Sequence, residues 1–271
     1  MKKSIIKAIS AATAAILCAA ALTGCGSGKT STTDNNAADT SKSSAKEQLV
    51  MGTNAAFPPF EFTTSNGLVG EFDGIDVAVA KKIAESMGKE LKVEDMEFEG
   101  LIASVSTGKV DFVAAGMTAT DERRQSVDFS DTYYVASQVM VVGSDCTDIT
   151  KADDLKNGKK VGVVLGYTGD GIVTDDLKID EANITRANRG IDVVQDVKNG
   201  KLDAVVIDSA TGKALAEKNN LKVVEDPAAF ETEEYAIAVK KGNKELLDAI
   251  NKVLAEMKES GEIEELAQKY N

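Results

Sequence analysis

The sequence predicts an α/β protein built from two related lobes, and three observations carry that expectation. Segments patterned as strands alternate with segments patterned as helices from Gln48 to the C-terminus. A short motif occurs twice, GKVDFV at 108–113 and GKLDAV at 200–205, each time after a candidate amphipathic helix and at the head of an apolar run. The apolar fraction is 43% of 271 residues, enough to bury a core of that size.

The elements follow in order. LVMGT (49–53) opens as a strand, and Val79, Ile83 and Met87 then share one face of a helix that Gly88 closes. LKVEDM (91–96) is a strand, 101–106 a short helix, and VDFVAAGM (110–117) and QVMVVG (138–143) are strands. KKVGVVLG (159–166) begins a second unit, with a helix near 171–176, a strand at ANITRA (182–187) and a helix over 191–198. LDAVVI (202–207), a helix through 214–218, and the strands LKVVE (221–225) and EYAIAVK (234–240) come next, and 244–270 is mostly helix. The second lobe is complete by about Glu231, so the last strand and helices read as a return to the first. Such an order implies largely parallel sheets. Gly in the repeat can also be no more than a left-handed helix C-cap, but two matched occurrences favour lobes of common design.

Composition narrows the function. The net charge of −13 argues against an electrostatic hold on nucleic acid. Histidine is absent, which removes His-based triads, His-ligated zinc and a histidine pH switch. No cofactor and no metal site is expected.

The N-terminus has the order of an export signal. Lys2, Lys3 and Lys7 precede an apolar stretch over 8–22 interrupted only by Ser10 and Thr13. A permanent membrane helix would need about 20 apolar residues, and this run stops short at Leu22-Thr23-Gly24-Cys25. That tetrad resembles a bacterial lipobox, which implies cleavage before Cys25 and a lipid on its thiol. Cys18 then leaves with the signal and Cys146 stands alone, so no intrachain disulfide is expected. Nine of the 22 residues from Gly26 to Glu47 are Ser or Thr, and none is a large apolar residue. Such a segment cannot offset its ordering entropy and reads as a tether reaching roughly 25 Å. The organisation expected is a signal peptide at 1–24, a lipidated Cys25 with its tether to 47, a first lobe of 48–138 and 237–271, and a second lobe of 139–236.

Ligands of open α/β sheets bind beyond the carboxyl ends of the strands. The loops there read NAAFPPFEF (54–62), AGMTATDER (115–123), GYTGDG (166–171) and DSATG (208–212). Arg123, with Thr118 nearby, suits a carboxylate, because a guanidinium donates two parallel hydrogen bonds. Asp208, ending a buried run, suits an ammonium. Plainer roles stand beside these: Arg123 as a solvated ion pair at a helix start, Asp208 as a helix N-cap, and Phe57, Phe60 and Phe62 as core.

GTNAAFPPFEF, VGEFDGIDVAVAKKIAE, DFVAAGMTATDERRQSVDFSDTYY, KKVGVVLGYTGD and LDAVVID together resemble the bacterial extracellular solute-binding proteins of family 3, the amino-acid-binding components of ABC importers. The resemblance runs from about Gln48 to the C-terminus, and AGMTATDER followed by VDFSDTYY is its most specific piece. It implies a bilobal periplasmic-binding-protein-like fold with two crossover strands, near 138–142 and 234–239. It implies that Arg123, Thr118, Thr168 and Gly169 hold the ligand α-carboxylate, that Gly116 and Asp208 take the ammonium, and that Phe57 and Phe98 sandwich the side chain. Asn54 stands where many binders of basic amino acids have an acid, and Tyr167 replaces a smaller residue; Asp170 is a candidate compensating carboxylate. The protein so implied is monomeric, held by its lipid to the outer face of the membrane, and passes an L-amino acid to an ABC importer permease. A fold-sharing enzyme of the cyclohexadienyl-dehydratase kind and a ligand-sensing protein are the other classes, since fold does not fix function.

Overall fold

The computed structural model describes residues 47–270. The signal peptide expected at 1–24, Cys25 and the expected tether up to residue 46 lie outside the described residues. The first lobe holds a five-stranded sheet in the order Glu90–Asp95, Gln48–Thr53, Phe112–Val113, Ala238–Lys240, Val127–Phe129. Its first three strands are parallel, and Ala238–Lys240 runs antiparallel to both neighbours. Helix Ile75–Ser86 covers it with Ile75, Val79 and Ile83, all fully buried at the four-residue spacing that puts side chains on one stripe. Met87 ends that helix as its cap and is only partly buried.

The second lobe is built on Ile184–Ala187, Val161–Val164, Ala204–Asp208, Tyr134–Val142 and Lys222–Val224, in that order. The first three are again parallel, while Tyr134–Val142 is antiparallel to both of its neighbours. In each of these orders four strands point one way, as expected, and the one reversed strand is the one that passes between the lobes.

Tyr134–Val142 does two jobs. Residues 134–137 pair with Thr232–Tyr235, and residues 138–142 pair with Ala204–Asp208. The first crossover thus begins earlier than the expected 138–142. The second is split into Thr232–Tyr235 and Ala238–Lys240. Between them the Ala236 amide donates to the Met117 carbonyl at 3.0 Å and the Ile237 amide to the Ser130 hydroxyl at 2.9 Å, so neither extends a ladder.

The repeated motif does the same work in each lobe. Asp111 accepts the Val50 amide and Asp203 accepts the Lys160 amide, both at 2.7 Å. Their own amides return to the carbonyls of Val50 and Lys160, at 2.9 Å each. Gly108 and Gly200 both adopt positive φ, as the turn from helix to strand requires. Val110 packs over Gly52 and Leu202 over Gly162, where a Cβ would meet those side chains at 3.1 and 2.7 Å. The echo is a structural clamp on the first strand of each unit.

VDFVAAGM forms ladder bonds only at Phe112–Val113, since the chain turns away at Gly116 with φ of 50°. The C-terminal helical stretch is two helices, Lys244–Ser260 and Glu262–Tyr270, separated at Gly261. Among the described residues, no helix is long and apolar enough to cross a membrane.

Candidate functional site

The carboxyl ends of the parallel strands in the two lobes face one another, and the loops beyond them enclose a pocket. It is lined by Phe57, Phe98, Ala115, Gly116, Thr118, Arg123, Tyr167, Thr168 and Asp208, with a cavity of about 10 Å³. That is space for about one water, so the side chains meet closely across the cleft. An open groove of about 1150 Å³ adjoins it, sharing Thr118, Arg123, Tyr167 and Thr168.

Arg123 starts from the short helix Asp121–Arg124, capped by the Thr120 hydroxyl. Its guanidinium donates to the Thr118 carbonyl at 2.7 Å and, across the cleft, to the Gly166 carbonyl at 3.0 Å. It also lies over the Phe98 ring, 5.1 Å from the centroid. Arg123 forms no ion pair among the described residues, which sets aside the solvated-pair role. Arg124 points elsewhere, to the Ala119 carbonyl and the Phe129 ring.

Asp208 occupies the N-cap position of helix Ser209–Asn219, yet its side chain makes no capping bond. It turns into the cleft and accepts the Tyr235 hydroxyl at 2.6 Å. Burial, and next the negative charge of Glu233, push its carboxyl well above the usual carboxylate range. The plain N-cap role is therefore not the one this side chain plays.

Gly116 holds a left-handed turn against Phe57, where a Cβ would come within 2.4 Å of the ring. Its amide donates to Asp76 at 2.8 Å, and Tyr133 donates to the same carboxylate at 2.7 and 2.8 Å. Burial raises the Asp76 carboxyl to about 6, while these two donors pull the other way. Behind it, Glu61 is raised well above the usual range by burial and then by Asp76. The buried Asp76 carboxylate is thus the group that holds the Gly116 turn.

Tyr167 sits between the aromatic residues assigned to the ligand side chain. Its ring meets Phe98 at 4.5 Å and Phe57 at 5.4 Å, both edge-on, and its hydroxyl donates to Asn54 at 3.2 Å. Asn54 is buried and also donates to the Met96 carbonyl at 2.9 Å. It therefore stands behind the pocket wall and not on it. Phe60 is core, and Phe62 packs on Tyr270.

Thr118 and Thr168 face each other from opposite lobes, and both donate to Glu233, at 2.6 and 2.8 Å. Gln138 donates to Thr168 at 3.0 Å and to Glu233 at 2.9 Å. Gly169 lines neither pocket nor groove. It packs against Gln138 and Val206, where a Cβ would meet oxygens at 2.9 Å, so its smallness serves close packing. Asp170 is already engaged by Arg186 at 2.8 Å, which leaves it a poor compensating carboxylate.

Sequence reasoning missed Glu233, Gln138, Tyr235 and Ala115. For Glu233 and Tyr235 a signal existed: residues two apart on a strand share a face. Positions 233 and 235 point into the cleft, while Glu234 turns away to the Thr132 hydroxyl.

Residues 49–271 match the sequence model of the bacterial extracellular solute-binding proteins, family 3. The arginine-binding extracellular protein ArtP of Bacillus subtilis is 36% identical over 263 residues, with 92% of each chain covered. The L-cystine-binding protein TcyJ of Escherichia coli is 31% identical over 232 residues, 82% of each chain. A solved structure described as an ancestral arginine-binding protein bound to glutamine superposes with a TM-score of 0.75 at 39% identity, covering 83% of this chain and 98% of its own. The likeness extends through both lobes and the strands that join them, and on that ground the chain belongs to the bacterial extracellular solute-binding proteins, family 3.

Proposed function

We propose that the protein captures a polar L-amino acid between its lobes and delivers it to an ABC importer permease. One observation carries this reading: a guanidinium from the first lobe and a carboxylate from the second converge on one pocket, Arg123 and Asp208, with a threonine from each lobe beside them. A zwitterion needs both charges answered, and only closure answers them together. Arg123, Thr118 and Thr168 take the α-carboxylate, and Asp208 with Gly116 takes the ammonium. Phe57, Phe98 and Tyr167 wall the side chain, with Asn54 as the polar group behind them. Gly169 acts by letting the Thr168 turn pack closely.

The relatives are named as binding proteins, and the chain has no histidine to serve as a general base, which supports capture over catalysis. The protein acts as a monomer, with lobes of 48–138 plus 237–271 and of 139–236. A calorimetric screen of the twenty amino acids and cystine is expected to give saturable binding of at least one, recovered unaltered. Turnover of a bound compound would transfer the protein to the enzyme class, and no binding across the whole set would sink the proposal.

Anchoring rests on the Leu22–Cys25 tetrad and the Ser/Thr-rich tether. We read Cys25 as lipidated and the protein as held on the outer face of the cell membrane. Cys25→Ala is expected to leave ligand affinity intact and to move the protein from the membrane fraction to the soluble one. Equal membrane retention of the variant would end the lipoprotein reading.

A further inference from the structure

Glu233 lies on the second crossover strand, yet its carboxylate takes the hydroxyls of the two threonines assigned to a ligand carboxylate. One oxygen accepts Thr118 at 2.6 Å and Thr168 at 2.8 Å, and the other accepts Gln138 at 2.9 Å. Thr118 belongs to the first lobe, Thr168 to the second, and Gln138 to the other crossover strand. No cation pairs with Glu233 among the described residues. Its partners are neutral donors gathered from both halves of the molecule.

We propose that Glu233 is a tethered carboxylate that clasps the two lobes through Thr118 and Thr168 and must be displaced by the α-carboxylate of an incoming amino acid. The inference rests on the capture reading above. Donor arithmetic carries it. A threonine hydroxyl has one proton to donate, and both protons here go to Glu233, so a second carboxylate cannot use them while the first remains. Two carboxylates sharing one set of donors also repel. The open groove offers an exit, since Glu233 lines it and does not line the small pocket. Its departure would favour ligand twice over, by freeing the hydroxyls and by removing the negative charge that hinders ionisation of Asp208.

The test uses the full chain as wild type, Glu233→Ala and Glu233→Gln. Calorimetry with L-arginine, L-histidine, L-glutamine and L-cystine is expected to show about tenfold tighter binding or more by the alanine variant for whichever of these the wild type binds. The glutamine variant, which keeps an acceptor but no charge, is expected to fall between the two, and it serves in place of alanine should that variant fold poorly. Small-angle scattering without amino acid is expected to give a larger radius of gyration for the alanine variant than for wild type. Unchanged affinity would make Glu233 a strut, and weaker affinity would make it a counter-charge for the ligand ammonium; either overturns the clasp. Identical radii without ligand overturn it as well. Failure of the wild type and both variants to bind any of the twenty amino acids or cystine would sink the capture reading, while the scattering comparison would still decide the clasp.

Discussion

Arg123→Lys is expected to weaken amino-acid binding by about 30-fold or more, corresponding to about 2 to 5 kcal/mol for removing a charge-assisted hydrogen bond from a desolvated site. The charge is kept, so the weakening isolates geometry. The guanidinium spans two carbonyls, Thr118 and Gly166, while lying flat over Phe98. A lysine ammonium is a point donor on a flexible stem and cannot present two parallel N–H groups to a carboxylate while stacked on a ring. Arg124→Lys is the control, since that side chain packs on Phe129 outside the pocket. Calorimetric affinities of the two variants that agree within error would refute the role given to Arg123.

Asp208→Asn should be comparably damaging to binding while sparing the fold. Asparagine keeps an oxygen for the Tyr235 hydroxyl but has no charge for the ligand ammonium. The sign of the stability effect follows from linkage. A carboxyl whose pKa is raised by folding costs stability as pH rises from its unfolded pKa through its folded one, and a neutral amide removes that cost. The melting temperature at neutral pH is therefore expected to equal or exceed that of wild type. Affinity is expected to fall by about 30-fold or more, and ligand-induced compaction in small-angle scattering to disappear. Full compaction of the variant at saturating amino acid would show that Asp208 is not needed to close the cleft.

The residues legible in the sequence are those whose chemistry is visible in their type. Asp208 stands out because it ends the apolar run AVVI, and Arg123, although it is flanked by Glu122 and Arg124, because the strand-end rule for open sheets points at the loop that holds it. The duplicated GKxDxV motif is equally legible as evidence of two units, although its aspartates bind backbone, not ligand. Glu233 is hidden for the opposite reason. It stands among Glu231, Thr232 and Glu234; the two-residue period groups it with Tyr235, but only the pairing of the strand with Tyr134–Val142 shows which of the two faces meets the cleft. Tyr167 reads in the sequence only as a bulky replacement, because Phe57 and Phe98, which its ring meets, belong to the other lobe and the contact forms only where the lobes meet. The reversal of the strands that cross between lobes is not legible either, since a sequence pattern reports burial and not the direction from which a strand enters.

The pairing of the two crossover strands has a mechanical consequence. Thr232–Tyr235 and Tyr134–Ser137 are held in fixed register, residue opposite residue. Sliding one past the other by a single residue would break every cross-strand bond and turn each side chain to the wrong face. Twist and bend cost far less, so this ribbon is stiff in shear and soft in rotation. Gln138 and Glu233 meet at 2.9 Å on the crossover strands themselves, so a rotation about this ribbon would move them less than the outer edges of the lobes. A partner touching both edges would therefore sense one variable, an opening angle, set by a few hydrogen bonds beside the axis.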